Sequence, residues 1–247
     1  VAIMLRYSPD GTFFDAVISD HWERTPFVFT VPQQNAPFTA DAVFAAVSAD
    51  AGRDRLDWMN LAASKEPARV RDYVPLSLNQ LGPRISDGDW EGFFSRLEGK
   101  EFGLNVHDLG RRNPALASVA TTFEQHLSDV PGAPVPRRWE LDTFAGTYRA
   151  TPFGIHRDNA SVFSFCLVGH RTVMLWDPDY FHPGHPDLTR PDAQIVAKHA
   201  PHAIQLQLEP GLGAYWPSGY WHVVLSDGNP FVVAQASAYY DPADLGR

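Results

Sequence analysis

The chain is short of cysteine, of basic charge and of uninterrupted apolar sequence, and each shortage removes a class of protein. A single cysteine, Cys166, in 247 residues excludes an internal disulfide framework and fits a reducing compartment. Lys and Arg number 20 against 29 Asp and Glu, a formal charge of −9. Nucleic acid is therefore not an expected partner, because neutralising phosphates takes a clustered basic surface, and Arg111-Arg112 and Arg137-Arg138 are too short to supply one. No apolar run is long enough to cross a bilayer, so no membrane partner is expected. The opening residues Val1 to Arg6 have neither a basic start nor a small-residue cleavage site, which makes a cytoplasmic location the default expectation. Internal repeats and low-complexity tracts are also missing.

Apolar material is plentiful by contrast. Hydrophobic residues make up 44% of the chain, with 7 Trp, 16 Phe and 8 Tyr, enough for a substantial core, and β barrels of this length are often one domain. Residues Pro26 to Val31 have the composition of a short strand ending at Pro32. Thr39 can cap a helix carrying Ala42, Val43, Ala46 and Val47 on one face. Periodicity is weak from Arg53 to Leu81, where a strand over Val70 to Leu78 is one option. Ser86 or Asp87 can cap a helix with a Trp90, Phe93, Phe94 and Leu97 stripe, closed by Gly99. Glu101 to His107 alternates like a strand, with Phe102, Leu104 and Val106 on one side and Asn105 and His107 on the other. Asn113-Pro114 is a helix start, and that helix should run to about Leu127.

The Pro-rich connector Pro131 to Pro136 separates a mixed α/β region, residues 1–130, from a β-rich core, residues 137–247, the two expected to pack as one structural unit. In the core, strands are expected at Trp139 to Tyr148, Ser161 to Val168, Arg171 to Trp176, Ile204 to Leu208, Gly213 to Trp216, Trp221 to Leu225 and Phe231 to Tyr240. Short strands separated by Gly, Pro and Asp turns indicate a barrel or jelly roll. A Pro- and His-rich insertion lies between Asp177 and Pro201.

His156-Arg157-Asp158 carries the first sign of chemistry. Alternate residues of a strand share a face, so His156 and Asp158 can reach one metal ion, and a barrel can bring His222 to the same interior. Two imidazoles and one carboxylate suit Fe(II) with open coordination positions. By itself the H-x-D spacing also fits a hydrogen-bonded barrel histidine followed by a turn-forming aspartate before Asn159.

Several segments together give a sharper reading. Thr151-Pro152 before His156, the apolar strand Val162 to Val168, Gly169-His170-Arg171, Leu175-Trp176 with Pro178, Leu208 to Gly211, and Tyr215 to His222 resemble the core of the JmjC-type cupin oxygenases. The similarity covers roughly residues 145 to 240, and its nearest branch is that of the asparaginyl hydroxylase acting on hypoxia-inducible factor. The resemblance implies a mainly β fold with flanking helices around a double-stranded β-helix (jelly-roll, cupin) barrel. It implies Fe(II) on His156, Asp158 and His222, with 2-oxoglutarate and dioxygen as cosubstrates. Asp158 stands where a halogenase of this general type would need a vacant ligand position.

The cosubstrate carboxylate is implied to sit on Arg171, where the closer relatives have lysine; arginine can hold a carboxylate through two parallel hydrogen bonds. Thr151 matches a threonine that helps bind the same carboxylate, although Phe153 and Gly154 are extra residues between it and His156. Tyr148 offers another hydroxyl. Ser237 and Tyr239 fall where the family has a polar cosubstrate contact and an aromatic wall, with Gln235 on their face. Val162, Ser164 and Cys166 should face the site if Arg171 does, Cys166 as a buried packing residue. Asn105 and His107 either reach the cosubstrate from the opposite wall or lie on a solvated strand face, the plainer reading. His182, His185, His199 and His202 read as exposed loop histidines, and Trp216, Tyr220 and Trp221 as packing around the barrel mouth.

The implied reaction is hydroxylation of an unactivated C–H bond of an amino-acid residue in a peptide or protein, or of a free amino acid. Arg149, Arg157 and the 177–203 insertion are candidate substrate-facing elements. N-methyl demethylation shares the first chemical step. A metal cupin dioxygenase or isomerase that does not use 2-oxoglutarate, and a binding protein with a degenerate site, are the rivals from other classes. Members of the family often dimerise, so a homodimer is compatible with the resemblance.

Overall fold

The computed structural model describes residues 4–49, 58–62, 73–76, 81–152, 154–182, 184–189, 193–241 and 243. Its strands are β1 (Leu5–Arg6), β2 (Phe27–Thr30), β3 (Trp58–Ala62), β4 (Tyr73–Leu76), β5 (Phe102–Val106), β6 (Arg138–Gly146), β7 (Ala160–Val168), β8 (Arg171–Trp176), β9 (Ile204–Leu208), β10 (Leu212–Trp216), β11 (Trp221–Leu225) and β12 (Phe231–Tyr239). They form one large sheet, in the order β1-β2-β10-β7-β12-β6-β5-β3-β4, and one small sheet, β11-β8-β9. Only β1 and β2 pair in parallel; the other ladders are antiparallel. The fold is mainly β with flanking helices, as the strand pattern predicts, with the two sheets of a cupin jelly roll.

Alternation along the strands sorts side chains into three cores. On β7, Phe163 and Phe165 point to the core under the helices, while Val162 and Cys166 point between the sheets. On β8 and β11, Val173, Leu175 and Val224 face the barrel interior, and Met174, Trp176, Trp221 and Val223 face outward. On β12 the alanines Ala234, Ala236 and Ala238 lie against the helices. The small residues there let the helix layer approach closely.

That layer consists of α1 (Thr12–Asp20), α2 (Ala40–Ser48), α3 (Trp90–Arg96), α4 (Leu109–Arg112) and α5 (Pro114–Leu127). In α5 the Asn113 side chain accepts from Ala115 N–H at 3.0 Å and proline fills the first turn. Leu116, Val119, Phe123 and Leu127 are buried on one face, each stabilising the fold by roughly 1.5–3 kcal/mol. Phe123 meets Phe14, Trp139 and Phe163 at 5.1, 5.5 and 4.9 Å between ring centres. Thr39 caps α2 through Ala42 N–H at 3.2 Å, as its sequence suggests.

Other expectations need correction. The cap of α3 is Asp89, whose carboxylate accepts from Gly92 N–H at 2.8 Å. Asp87 instead accepts Arg96 Nε–H at 2.6 Å and Arg84 N–H at 2.8 Å, and Ser86 lies in a short 3-10 turn, Ile85–Asp87. Of the stretch 53–81, β3 and β4 are among the described parts, and most of the rest lies outside the described residues. β5 pairs with β6 from Gly103↔Gly146 to Val106↔Thr143, so the large sheet runs across the connector at 131–136 without a break.

The insertion after β8 is partly helical, with α6 at Ala193–His199; Pro183 and residues 190–192 lie outside the described residues. Phe181 and Val196 pack with Trp176 and Trp221 on the outer face of the small sheet. His182 and His202 are exposed as expected. His199 is buried, because it sits at the end of a helix with its Nε2 3.0 Å from the Asp187 carboxylate.

Candidate metal centre

Residues 150–152 and 154–156 run beside β11 as a broken fourth strand of the small sheet. Ala150 bridges to Leu225 and His156 to His222, and Thr151 N–H donates to Val224 O at 2.9 Å. Between the bridges the chain departs from the ladder: Pro152 has no N–H to donate, and Gly154 turns with φ 79°, a conformation that suits glycine. His156 is therefore held by a single bridge rather than within a regular strand, and Asp158 lies in the loop before β7. Phe153 lies outside the described residues. The Gly154 turn has a visible use, because its carbonyl lies 2.9 Å from His156 Nδ1.

That contact and its counterpart decide how the two imidazoles present themselves. A carbonyl can only accept, so Nδ1 of His156 carries the proton and Nε2 keeps its lone pair. His222 repeats the arrangement, with Nδ1 3.1 Å from Tyr220 O. His156 Nε2 stands 3.9 Å and His222 Nε2 3.6 Å from Asp158 Oδ2, and the two ring centres are 4.1 Å apart. One ligand atom from each residue lies within 4.8 Å of the others. Burial, with the neighbouring His222 adding to it, holds the His156 pKa down to about 4, so the ring is neutral at pH 7. Two imidazoles whose Nδ1 atoms are engaged by carbonyls, together with one carboxylate, are a donor set that fits a first-row divalent ion, leaving part of its coordination open.

These three residues line one cavity of about 210 Å³ together with Asn105, Tyr148, Thr151, Arg171 and Ser237. That is smaller than the ~300–1,000 Å³ of drug-sized sites and suits a small ligand. Arg171, on β8, is only 4% exposed. Its guanidinium lies over the Phe231 ring at 4.4 Å and donates through Nη2 to Tyr148 OH at 3.1 Å. Its Nε is buried with no hydrogen-bond partner among the described residues. A buried cationic donor without an acceptor is costly, and a ligand carboxylate would satisfy it; the residues present fit a keto acid with a distal carboxylate.

The other predicted residues fall in different places. Thr151 lines the cavity, but its hydroxyl is engaged with β11, donating to Val224 O at 3.2 Å and accepting Val224 N–H at 3.1 Å. Ser164 is buried on β7 and lies 3.5 Å from Gln235 Nε2; it is not among the cavity-lining residues. Gln235, Ser237 and Tyr239 share the inner face of β12 and line the cavity. The β12 bulge at Val232/Val233 precedes them. Asn105 is 1% exposed, which overturns the solvated-face reading, because β3 and β6 flank β5 and the cavity lies over it. Cys166 is buried, and that burial pushes its thiol up to about 11, as befits packing. Arg157 stacks over the outward-facing Trp221 ring at 4.7 Å, and neither it nor Arg149 lines the cavity. None of the described residues of 177–203 does so either, because this segment covers the opposite face of the small sheet.

Sequence reasoning missed Asp142 on β6, which is 2% exposed and faces the cavity. The signal was an acidic residue near the middle of β6, between Leu141 and Thr143 and two positions from Phe144 on the same face. His107, Glu140 and Asp142 form a second potential metal-binding group. Its carboxylates already have partners: Asp142 Oδ1 accepts Asp108 N–H at 3.2 Å and lies 3.3 Å from His107 Nδ1, and Glu140 pairs with Arg138.

No family model matches the chain, and no curated protein matches it. Solved structures do. An X-ray structure of Escherichia coli ycfD matches with a TM-score of 0.57 at 17% identity, over 94% of this chain and 54% of that one. The structure of YcfD, a ribosomal oxygenase from the same organism, in complex with cobalt and 2-oxoglutarate, matches with a TM-score of 0.51 at 15% identity, over 94% and 53%. The chain thus spans about half the length of these proteins. At such identities the likeness is one of fold. It gives no support to the asparaginyl-hydroxylase branch.

Proposed function

We propose that the chain is an Fe(II)- and 2-oxoglutarate-dependent oxygenase that hydroxylates a C–H bond of an amino-acid side chain. The observation that carries this reading is the meeting, in one cavity, of the His156, Asp158 and His222 ligand atoms with Arg171, whose buried Nε has no hydrogen-bond partner among the described residues. His156, Asp158 and His222 would hold the iron, which when bound supplies dioxygen activation coupled to oxidative decarboxylation of the keto acid. A fold neighbour, YcfD, has been solved in complex with cobalt and 2-oxoglutarate, which supports the same pairing here.

The protein's own residues have four tasks. Asp158 places a carboxylate beside the two imidazoles, completing a donor set for a divalent cation. Gly154 O and Tyr220 O fix the rings so that both Nε2 atoms face the cavity. Arg171, aligned by Tyr148 and backed by Phe231, takes the distal carboxylate of the cosubstrate. The apolar lining, Val162, Trp216 and Val224 among it, limits water in the space where the reaction occurs.

The large-sheet wall offers the substrate hydrogen-bond acceptors. Asn105 Oδ1 is buried with no partner among the described residues, and the Asp142 carboxylate lies on the neighbouring strand. Groups of this kind favour a side chain rich in N–H donors, an amide or a cationic nitrogen, within a peptide or as a free amino acid. The test is succinate release from 2-oxoglutarate with Fe(II) and dioxygen, which should be lost in His156→Ala, Asp158→Ala and His222→Ala. Wild-type turnover in any of the three would sink the assignment.

A further inference from the structure

The turn that follows α1 reaches across the molecule to the loops bearing the metal ligands. Glu23, in that turn, has φ 54°, a left-handed conformation that disfavours residues other than glycine. Such a conformation persists only where surrounding contacts determine it, and here they are many. The carboxylate accepts from Ser161 Oγ and from Tyr240 OH through Oε1, the latter at 3.0 Å, and from Ser218 Oγ through Oε2 at 2.7 Å. The Glu23 N–H donates to Tyr215 OH at 2.9 Å. All four hydroxyl residues are 5% exposed or less. Ser218 N–H also donates to Ser161 Oγ at 2.9 Å, and the next carbonyl, that of Arg24, accepts from Tyr220 OH at 3.3 Å.

Ser218, Tyr220, Tyr240 and Ser161 lead on to the candidate ligands. Gly219, next to Ser218, donates its N–H to Asp158 O at 3.0 Å. Tyr220 supplies the carbonyl that orients His222. Tyr240 N–H donates to Asn159 O at 2.9 Å, and Ser161 follows two residues later. The two histidines tie to each other directly, His156 N–H to His222 O at 3.0 Å and His222 N–H to His156 O at 2.7 Å. Asp158 has no such support. Its side chain is 48% exposed, it lies outside any strand, and among the described residues its carboxylate accepts no hydrogen bond beyond its approach to the two imidazoles. Its position is set through its backbone, by the segments that Glu23 gathers.

We infer that Glu23 is a positioning residue for the metal centre: one carboxylate bonded to Ser161, Ser218 and Tyr240 fixes the loop 217–220 and the segment 158–161, and so holds Asp158 opposite His156 and His222. The inference rests on the metal site proposed above. Hydrogen bonds to an ionised acceptor are the strong ones, and outer partners that orient ligands commonly contribute about 10–100-fold to metal affinity.

The test is Co(II) binding to the full chain, followed by calorimetry and by the visible absorption of the bound ion, alongside melting of the metal-free protein. Glu23→Ala should bind Co(II) about 10–100-fold more weakly than wild type, with an altered absorption spectrum. Glu23→Gln keeps the shape and part of the hydrogen bonding and should lie between them. Val119→Ala, in α5 away from the site, sets the effect of a comparable loss of melting temperature and should retain wild-type affinity. If Glu23→Ala does not fold, Ser218→Ala, which removes one of the three hydroxyls, should still weaken Co(II) several-fold. Wild-type affinity and spectrum in Glu23→Gln and Ser218→Ala, or a loss no greater than that of Val119→Ala at matched stability, would overturn the inference. Absence of Co(II) binding by the wild-type protein would instead remove the metal site itself, and this role of Glu23 with it.

Discussion

Arg171 and Asp158 both line the cavity, the first proposed to take the keto acid's distal carboxylate and the second to hold the metal, and substitutions should separate them. Replacing Arg171 with methionine keeps most of the volume over Phe231 and removes the charged donors. The loss of hydrogen bonds to a charged partner is worth about 1.5–3 kcal/mol, so 2-oxoglutarate should bind roughly 10- to 150-fold more weakly while metal affinity is unchanged. Equal loss of both would show that Arg171 supports the metal loop instead. Both residues were legible in the sequence, Asp158 through the H-x-D spacing and Arg171 through resemblance to a known segment. Asp142 and Glu23 were not. Asp142 is recognisable only once β6 is known to face the cavity, and Glu23 meets partners 138, 192, 195 and 217 positions away, which no local pattern encodes.

The β7–β8 turn, which links the large sheet to the small one, carries Arg171 two residues after its glycine. Gly169 has φ 74°, and a Cβ there would stand 2.3 Å from Pro230 O. Gly169→Ala should therefore destabilise the protein by at least ~1 kcal/mol, lowering the melting temperature by about 2–4 °C or more, and should weaken 2-oxoglutarate binding by displacing Arg171. An unchanged melting temperature would contradict this reading of the turn. In α6, the hydrogen bond from Lys198, with that from His199, lowers the Asp187 carboxyl to about 2. A carboxyl lowered in the folded state contributes stability above its unfolded pKa, and that contribution fades as pH falls through the folded value. Protection of the Ala193–His199 amides, relative to their intrinsic exchange rates, should fall between about pH 4 and pH 2, and Asp187→Asn should lack that pH step. A step of the same size in the variant would assign it elsewhere. The core strands were readable to within a residue or two because alternation and Gly or Pro turns mark them. Helix α1 was not, since its stripe is only Phe13, Phe14 and Val17 and its N-cap is Gly11, without a side-chain cap. The His-rich insertion read as a loop because Pro and His mask the apolar spacing of Val196 and its neighbours.

Across the whole molecule, the large sheet carries the helix layer on one face and the cavity on the other, so the core packed around Phe123 and Phe163 supports the wall that bears Ser237, Asp142 and Asn105. The small sheet brings His222 and Arg171 to the same space, backed by the insertion on its outer face. The fold was anticipated from strand count and turn chemistry, whereas the pairing that closes the site, His156 against His222 across a single bridge, depends on long-range register. In the proposed mechanism this architecture holds a keto acid jointly by a metal on the His156, Asp158 and His222 triad and by Arg171. The decisive measurement is calorimetric titration of 2-oxoglutarate into metal-free and Mn(II)-loaded protein, with Asp158→Ala and Arg171→Met run in parallel. Tight binding is expected only to the Mn(II)-loaded wild type, with binding weakened at least about tenfold in either variant. Equal affinity with and without Mn(II), or unchanged affinity in both variants, would contradict it.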